Sequence, residues 1–200
     1  MNRKIFLLAC MLGMAFNLQA KKSNYIYLTY KEFNDSTGEA FTDLSMMHVM
    51  ATVTITFTTS SGKVKYSGKE IWGYMYKDKL FRSDKRTGQF AMLVSKGKIY
   101  YYENGWAHTL MVKNNSKKEE FAVGYYCYVS NSLKSPLTPF PSTGISDAKK
   151  LTKEFREKYP QHEPLFKAIG KNFTLANVRL MIQKYNKSEA KEEEDKEGDE

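Results

Sequence analysis

Residues 51–58 constrain the fold more than any other stretch of this chain. Ala51, Val53, Ile55 and Phe57 alternate with Thr52, Thr54, Thr56 and Thr58. Successive side chains of an extended strand point to opposite faces, so this period of two, written in β-favouring residues, predicts a half-buried strand. Ser60-Ser61-Gly62 then turns the chain, and strand-like runs recur at Lys69 to Tyr76, Leu80 to Ser83, Phe90 to Ser95, Lys98 to Glu103, Trp106 to Lys113 and Phe121 to Ser130. The connections carry turn chemistry: Lys77-Asp78-Lys79, Arg86-Thr87-Gly88, Lys96-Gly97 and Glu103-Asn104-Gly105. Asn104-Gly105 suits the positive φ angles of a two-residue hairpin, which predicts antiparallel pairing of the strands around it. Connections this short leave no room for crossover helices, so the expected sheet is an antiparallel meander. A short strand at Tyr25 to Tyr30, followed by the loop Asn34 to Gly38, precedes it.

The pattern changes after residue 130. Pro136, Pro139 and Pro141 remove backbone donors, so residues 131–145 are expected to form an extended connector and not a strand. Leu151, Phe155 and Tyr159 then lie four apart on one face of a helix that Ser146 or Asp147 can cap and Pro160 ends. Leu165, Phe166 and Ile169 suggest a second helix. Leu175, Val178, Met181, Ile182 and Tyr185 stripe a third, which Thr174 can cap. The surface available to bury these stripes is a face of the sheet. The expected fold class is therefore α+β, an antiparallel β-meander with two or three C-terminal helices packed on one face. The expected organisation is a single domain over 21–187, with the sheet at 25–130, the connector at 131–145 and helices at 146–187. Residues 188–200 lack apolar periodicity and predict a disordered acidic tail.

The first twenty residues read as an export signal. Asn2-Arg3-Lys4 is followed by the uncharged run Ile5 to Phe16, and Asn17-Leu18-Gln19-Ala20 ends on a small residue. That run is shorter than the roughly 20 residues a membrane span needs, so the mature chain, with no transmembrane span, is expected in the periplasm or outside the cell. Lipidation at Cys10, within Leu7-Leu8-Ala9-Cys10, is a minor alternative. Loss of the leader leaves Cys127 as the one cysteine, which excludes an internal disulfide and reads as a buried thiol. The net charge of +9 conceals an asymmetry: the leader carries two cations, and residues 189–200 carry eight acids against two lysines. Residues 21–188 therefore hold +13, which favours anionic partners such as acidic glycans, lipid headgroups or an acidic protein. The export signal argues against nucleic acid.

Chemistry is sparse. His48, His108 and His162 lack the spacing of a zinc site, and no Gly-x-Ser-x-Gly elbow, Walker loop or dinucleotide fingerprint occurs. Glu192-Glu-Glu-Asp195 lacks the spacing of a calcium loop. No catalytic residue, metal or cofactor is assigned; Glu103 and Glu70 are the first carboxylates to inspect for a catalytic pair. Aromatic residues are the stronger signal. Trp72, Tyr74 and Tyr76 share one face of an uninterrupted strand, Tyr100 and Tyr102 another, and Trp106 follows the turn. Such rings suit sugar stacking or protein contact, and burial beneath the helices is their competing role.

Several of these segments, Ile26 to Phe33, Ile71 to Tyr74 with Lys79 to Arg82, Gly97 to Glu103, and Leu151 through Lys184-Tyr185-Asn186, resemble uncharacterised secreted proteins of Bacteroides-type bacteria. The resemblance implies export and carries over no catalytic residue. The sequence thus supports an exported, non-enzymatic envelope or secreted protein that binds glycan or protein through an aromatic and basic sheet face. Its candidate ligand-binding residues are Trp72, Tyr74, Tyr76, Tyr100, Tyr102 and Trp106. The alternatives are an envelope or polysaccharide hydrolase with carboxylates assembled in the fold, and a structural subunit of a larger envelope assembly.

Overall fold

A computed structural model describes residues 24–49, 52–104, 127–141 and 148–197. Its β-strands are β1 (Asn24–Tyr27), β2 (Glu39–Val49), β3 (Thr52–Thr59), β4 (Gly62–Ser67), β5 (Gly73–Tyr76), β6 (Lys79–Asp84), β7 (Gln89–Ser95), β8 (Tyr100–Asn104), β9 (Cys127–Ser130) and β10 (Thr138–Phe140). The helices are α1 (Tyr30–Asn34), α2 (Ala148–Lys158), α3 (Glu163–Ile169) and α4 (Leu175–Glu197), with a 3-10 turn at Pro160–His162. All ten strands join one antiparallel sheet in the order β4-β3-β2-β1-β5-β6-β7-β8-β9-β10. The fold is α+β, as the change of periodicity predicts.

Two meanders, β1–β4 and β5–β10, meet where β1 pairs with β5, so the chain leaving β4 must return across the sheet to enter β5. Curvature makes that return short. Four strands separate β3 from β7, which in a flat sheet would put them about 24 Å apart. Their Cα atoms instead approach within 8 Å. The curl encloses Ile26, Phe41, Val53, Ile55, Phe57, Ile71, Tyr74 and Phe90. The alternation at 52–58 appears as expected: Val53, Ile55 and Phe57 are buried and Thr54, Thr56 and Thr58 half-exposed. Each such apolar side chain contributes about 1.5–3 kcal/mol on burial. At the return, Gly68 meets Gly88 so closely that a Cβ would lie 2.2 Å from the Gly88 carbonyl oxygen.

The helices cover the other end of the sheet. Ile99, Tyr101, Cys127, Val129 and Phe140 meet Phe155 of α2, Leu165, Phe166 and Ile169 of α3, and Leu175, Val178 and Ile182 of α4. Cys127 is fully buried and accepts a hydrogen bond from the Tyr101 hydroxyl at 3.1 Å.

Three expectations need correction. The 131–145 connector contains a strand: Thr138–Phe140 pairs with β9, with Pro139 opposite Tyr128. Proline is tolerated there because β10 is an edge, where a missing donor breaks no ladder bond. The turn expected at Asn104-Gly105 and the strand expected at Trp106 to Lys113 lie outside the described residues beyond Asn104; β8 itself pairs with β7 and β9. The tail expected to be disordered instead continues α4 through Glu197, since Ala, Glu and Lys are good helix formers. Finally, the strand expected to run to Tyr30 ends at Tyr27. Thr29 caps α1, accepting the Glu32 N–H at 3.2 Å, while the Glu32 carboxylate accepts the Leu28 N–H at 2.7 Å.

Candidate functional site

The expected aromatic face does not assemble on one side of the sheet. The run 69–76 is not a continuous strand, because β5 begins only at Gly73. Trp72 sits in a bend, where its N–H reaches the Tyr27 and Leu28 carbonyls at 2.9 and 3.1 Å and its C=O accepts from Ser83 N–H at 3.0 Å. The Ser83 hydroxyl bonds the carbonyls of both Ile71 and Trp72, at 2.6 and 3.1 Å. This bend shifts the alternation, so Ile71 and Tyr74 share the curled core while Trp72 joins Tyr27 and Leu80 in a different cluster. Tyr74 is 1% exposed and stacks on Phe81, with centroids 4.7 Å apart. Burial raises its hydroxyl pKa. Tyr76 packs at the edge of the same core, stacked on Phe41. Tyr102 is fully buried with Tyr128, its hydroxyl 3.0 Å from that of Ser130, and Tyr100 packs half-buried beside it. Trp106 lies outside the described residues. Of the five among the described residues, Trp72 lines a cleft.

That cleft has a volume of about 370 Å³ and draws on four parts of the chain. Trp72 precedes β5. Arg82, Ser83 and Asp84 end β6, and Lys85 and Arg86 form the turn beyond. Lys134, Pro136, Leu137 and Thr138 come from the β9–β10 segment, and Lys158 ends α2. Among the described residues five cations and one carboxylate therefore line it, with Leu137 and Pro136 as apolar wall. A cleft lined by one sign of charge and partly walled by apolar groups focuses its field and attracts anions.

Arg82 is the central group. It is 3% exposed, and its guanidinium carbon lies 4.2 Å from the centre of the Trp72 ring and 5.9 Å from that of Tyr102. Nη1 donates to the Leu133 carbonyl, and Nη2 to that of Ser135 at 3.3 Å. These bonds pin the segment that carries Lys134. Burial pulls the Arg82 pKa down, partly offset by Tyr102 and Tyr30, yet an arginine keeps its proton in such settings. Among the described residues no carboxylate pairs with Arg82. Among the described residues the Nε of Arg82 and Nε1 of Trp72, both buried donors, find no acceptor. A buried cation without a counter-charge is costly unless something compensates it.

The carboxylate in the cleft cannot compensate it, because Asp84 is already used. It accepts Arg86 Nε and Nη2 at 3.1 Å each, the Arg86 N–H at 3.2 Å and the Thr87 hydroxyl at 3.0 Å. Lys85 donates from Nζ to the Lys69 carbonyl at 2.9 Å. Partial burial lowers its pKa, Glu70 opposes that, and Arg82 adds to the lowering. Lys134 and Lys158 are exposed at the rim.

The carboxylates singled out for catalysis lie in separate settings. Glu103, fully buried, pairs through both oxygens with Arg179 of α4. Glu70 accepts the Ser67 N–H at 2.6 Å, which is the main cause of its lowered pKa. A hydrolytic carboxylate pair needs two acids about 5–9 Å across a shared space, and among the described residues the cleft lining contains one. His162 is buried between the Tyr185 hydroxyl at 3.1 Å and Asn131 Oδ1 at 3.2 Å, and burial lowers its pKa. His108 lies outside the described residues. Among the described residues, no three His, Cys, Asp or Glu side chains group as metal ligands, and no helix is long and apolar enough to cross a membrane.

Arg82, Lys134 and Lys158 escape a linear reading because three distant segments deliver them. The available signal was an arginine inside an apolar strand, Leu80-Phe81-Arg82, where a cation needs a reason. No family model matches the chain, and neither a curated protein nor a solved structure matches it.

Proposed function

We propose that this chain is an exported, non-enzymatic binding protein of the cell envelope or the secreted fraction, and that it captures an acidic glycan in the basic cleft beside Trp72. The observation that carries the reading is Arg82: a buried guanidinium that pairs with no carboxylate among the described residues, facing a cleft rimmed by Lys85, Lys134 and Lys158. The reading shifts recognition from rings to charge. Trp72 is 7% exposed and is in contact with Arg82 and with Phe33, whose centroid lies 4.7 Å away, so it offers little ring face to a neutral sugar. The leader of residues 1–20 and the +13 of residues 21–188 support export and an anionic ligand.

Isothermal titration tests this with oligogalacturonate and sulfated oligosaccharide against a neutral glucan of equal length. Acidic ligands are expected to bind at low salt and to weaken sharply near 0.5 M salt, where screening falls to about 4–5 Å. Equal binding of the neutral glucan, or no binding by either acidic probe, overturns the reading. Fractionation of the producing cell tests export, and a cytosolic product retaining Met1 contradicts it.

A further inference from the structure

The basic cleft does not stop at its rim. Lys85 reaches out of it to the Lys69 carbonyl. Lys69 lies alongside Gly88, its Cγ 3.6 Å from where a Cβ on that glycine would stand, and Gly68 packs directly on the Gly88 backbone. One residue earlier is the end of β4, the strand at the edge of the sheet. On β4, Lys63 and Lys65 are both exposed and lie two residues apart, so they share one face at a spacing of about 7 Å. Their cross-strand partners are Thr58 and Thr56, which place half-exposed hydroxyls between them and the body. Lysines therefore follow one another along the chain that leaves the cleft, from Lys85 and Lys69 to Lys65 and Lys63 on β4. Among the described residues three acids border this path: Asp84 is engaged by Arg86 and Thr87, Glu70 by the Ser67 N–H, and Asp43 stands exposed across from Thr58.

Resting on the cleft reading above, we infer that the ligand is a linear polyanionic glycan, with one acidic group held in the cleft and following groups laid along Lys85, Lys69, Lys65 and Lys63. Such a track gains affinity by adding charge contacts that act together on one chain, each releasing counterions. Threonine hydroxyls beside the lysines suit the hydroxyl groups of a sugar chain. A nucleic acid fits less well: single strands bind by stacking bases on open aromatic faces, and the one tryptophan at the cleft is covered.

The test uses the full chain and a length series of oligogalacturonates from two to eight units, measured at several salt concentrations. Affinity is expected to rise at least about tenfold from the shortest to the longest member, with a steeper salt slope for the longest. Lys63→Glu/Lys65→Glu is expected to remove that gain while leaving the two-unit ligand unchanged, and unchanged two-unit binding also reports that the variant is folded. Equal affinities along the series, or a double variant that still prefers long ligands, overturn the track and leave the cleft reading intact. Failure of every member to bind the parent protein overturns the cleft reading itself. An oligonucleotide of equal charge that binds as tightly as the longest glycan overturns the assignment to a glycan.

Discussion

Asn186 of α4 makes both backbone hydrogen bonds of Ile99, its Oδ1 accepting from the N–H at 3.1 Å and its Nδ2 donating to the C=O at 2.9 Å. The same amide nitrogen donates to the Ser95 hydroxyl at 2.8 Å. A side-chain amide thus does for the start of β8 what a neighbouring strand would do, and it ties α4 to the β7–β8 connection. The approach needs Gly97, where a Cβ would lie 2.7 Å from that of Asn186.

Asn186→Ala should therefore destabilise the protein by about 1–3 kcal/mol, since it leaves the buried backbone groups of Ile99 without partners. Urea unfolding measures this. Gly97→Ala should lower the midpoint by a similar amount through the clash, and stability unchanged in both variants would exclude the clamp.

Arg82→Met should cost stability and cleft function together. It removes the donors to Leu133 and Ser135, each charge-assisted bond contributing about 1.5–3 kcal/mol. Arg82→Lys should rescue little, because an ammonium lacks the planar fork that spans both carbonyls and lies on the Trp72 ring. Thermal unfolding and glycan titration of the two variants check this.

Lys134→Glu combined with Lys158→Glu should separate binding from folding. Both residues are exposed at the rim, so unfolding free energy should stay within about 0.5 kcal/mol of the parent. Binding of acidic oligosaccharide should fall below detection, as two attractive charges become repulsive. Titration with the variant at low salt reads the outcome.

Arg179→Met should be severe. It leaves the Glu103 carboxylate fully buried without its bidentate partner, a loss of about 3–5 kcal/mol. Glu103→Leu with Arg179→Leu should recover much of that loss. Chemical denaturation of the single and double variants distinguishes an uncompensated charge from simple loss of packing.

His162 should give the fold a pH dependence below neutrality. Burial lowers its folded pKa beneath the ordinary 6.5, so the unfolded chain binds the proton more readily. The stabilisation is fully present above pH 6.5 and is lost as pH falls from there through the folded pKa. The described hydrogen bonds to the ring come from Tyr185 and Asn131, neither of which supplies a negative charge at these pH values. Melting temperature should drop between pH 7 and 5 in the parent and less in His162→Gln. The carboxylates with lowered pKa values, Asp35, Glu70 and Glu163, act below their ordinary 3.8–4.5 and leave this window clear.

Local patterns in this chain were readable wherever one face decides a residue's fate. Val53, Ile55 and Phe57 announce a strand by alternation, and Leu175, Val178 and Ile182 announce a helix by their spacing; both sets are buried as expected. What local pattern could not supply was the partner of each strand. Nothing near Tyr25 indicates that β1 sits between β2 and β5. The bend at Trp72, held by Ser83 eleven residues later, sends Trp72 and Tyr74 to different clusters and so dissolves the expected ring face. The cleft depends on Arg82 finding the Leu133 carbonyl 51 positions away, a contact that no periodicity encodes. The surplus of lysine in residues 21–188 does reappear at the cleft, in Lys85, Lys134 and Lys158.

Pro139 gives the sheet a one-sided growth limit. A tenth strand that lacks an amide hydrogen at its centre cannot template an eleventh from a stray chain, and Pro136 and Pro141 guard the residues on either side. Where copies crowd edge to edge, this terminus offers no complete row of donors for a fibril to extend.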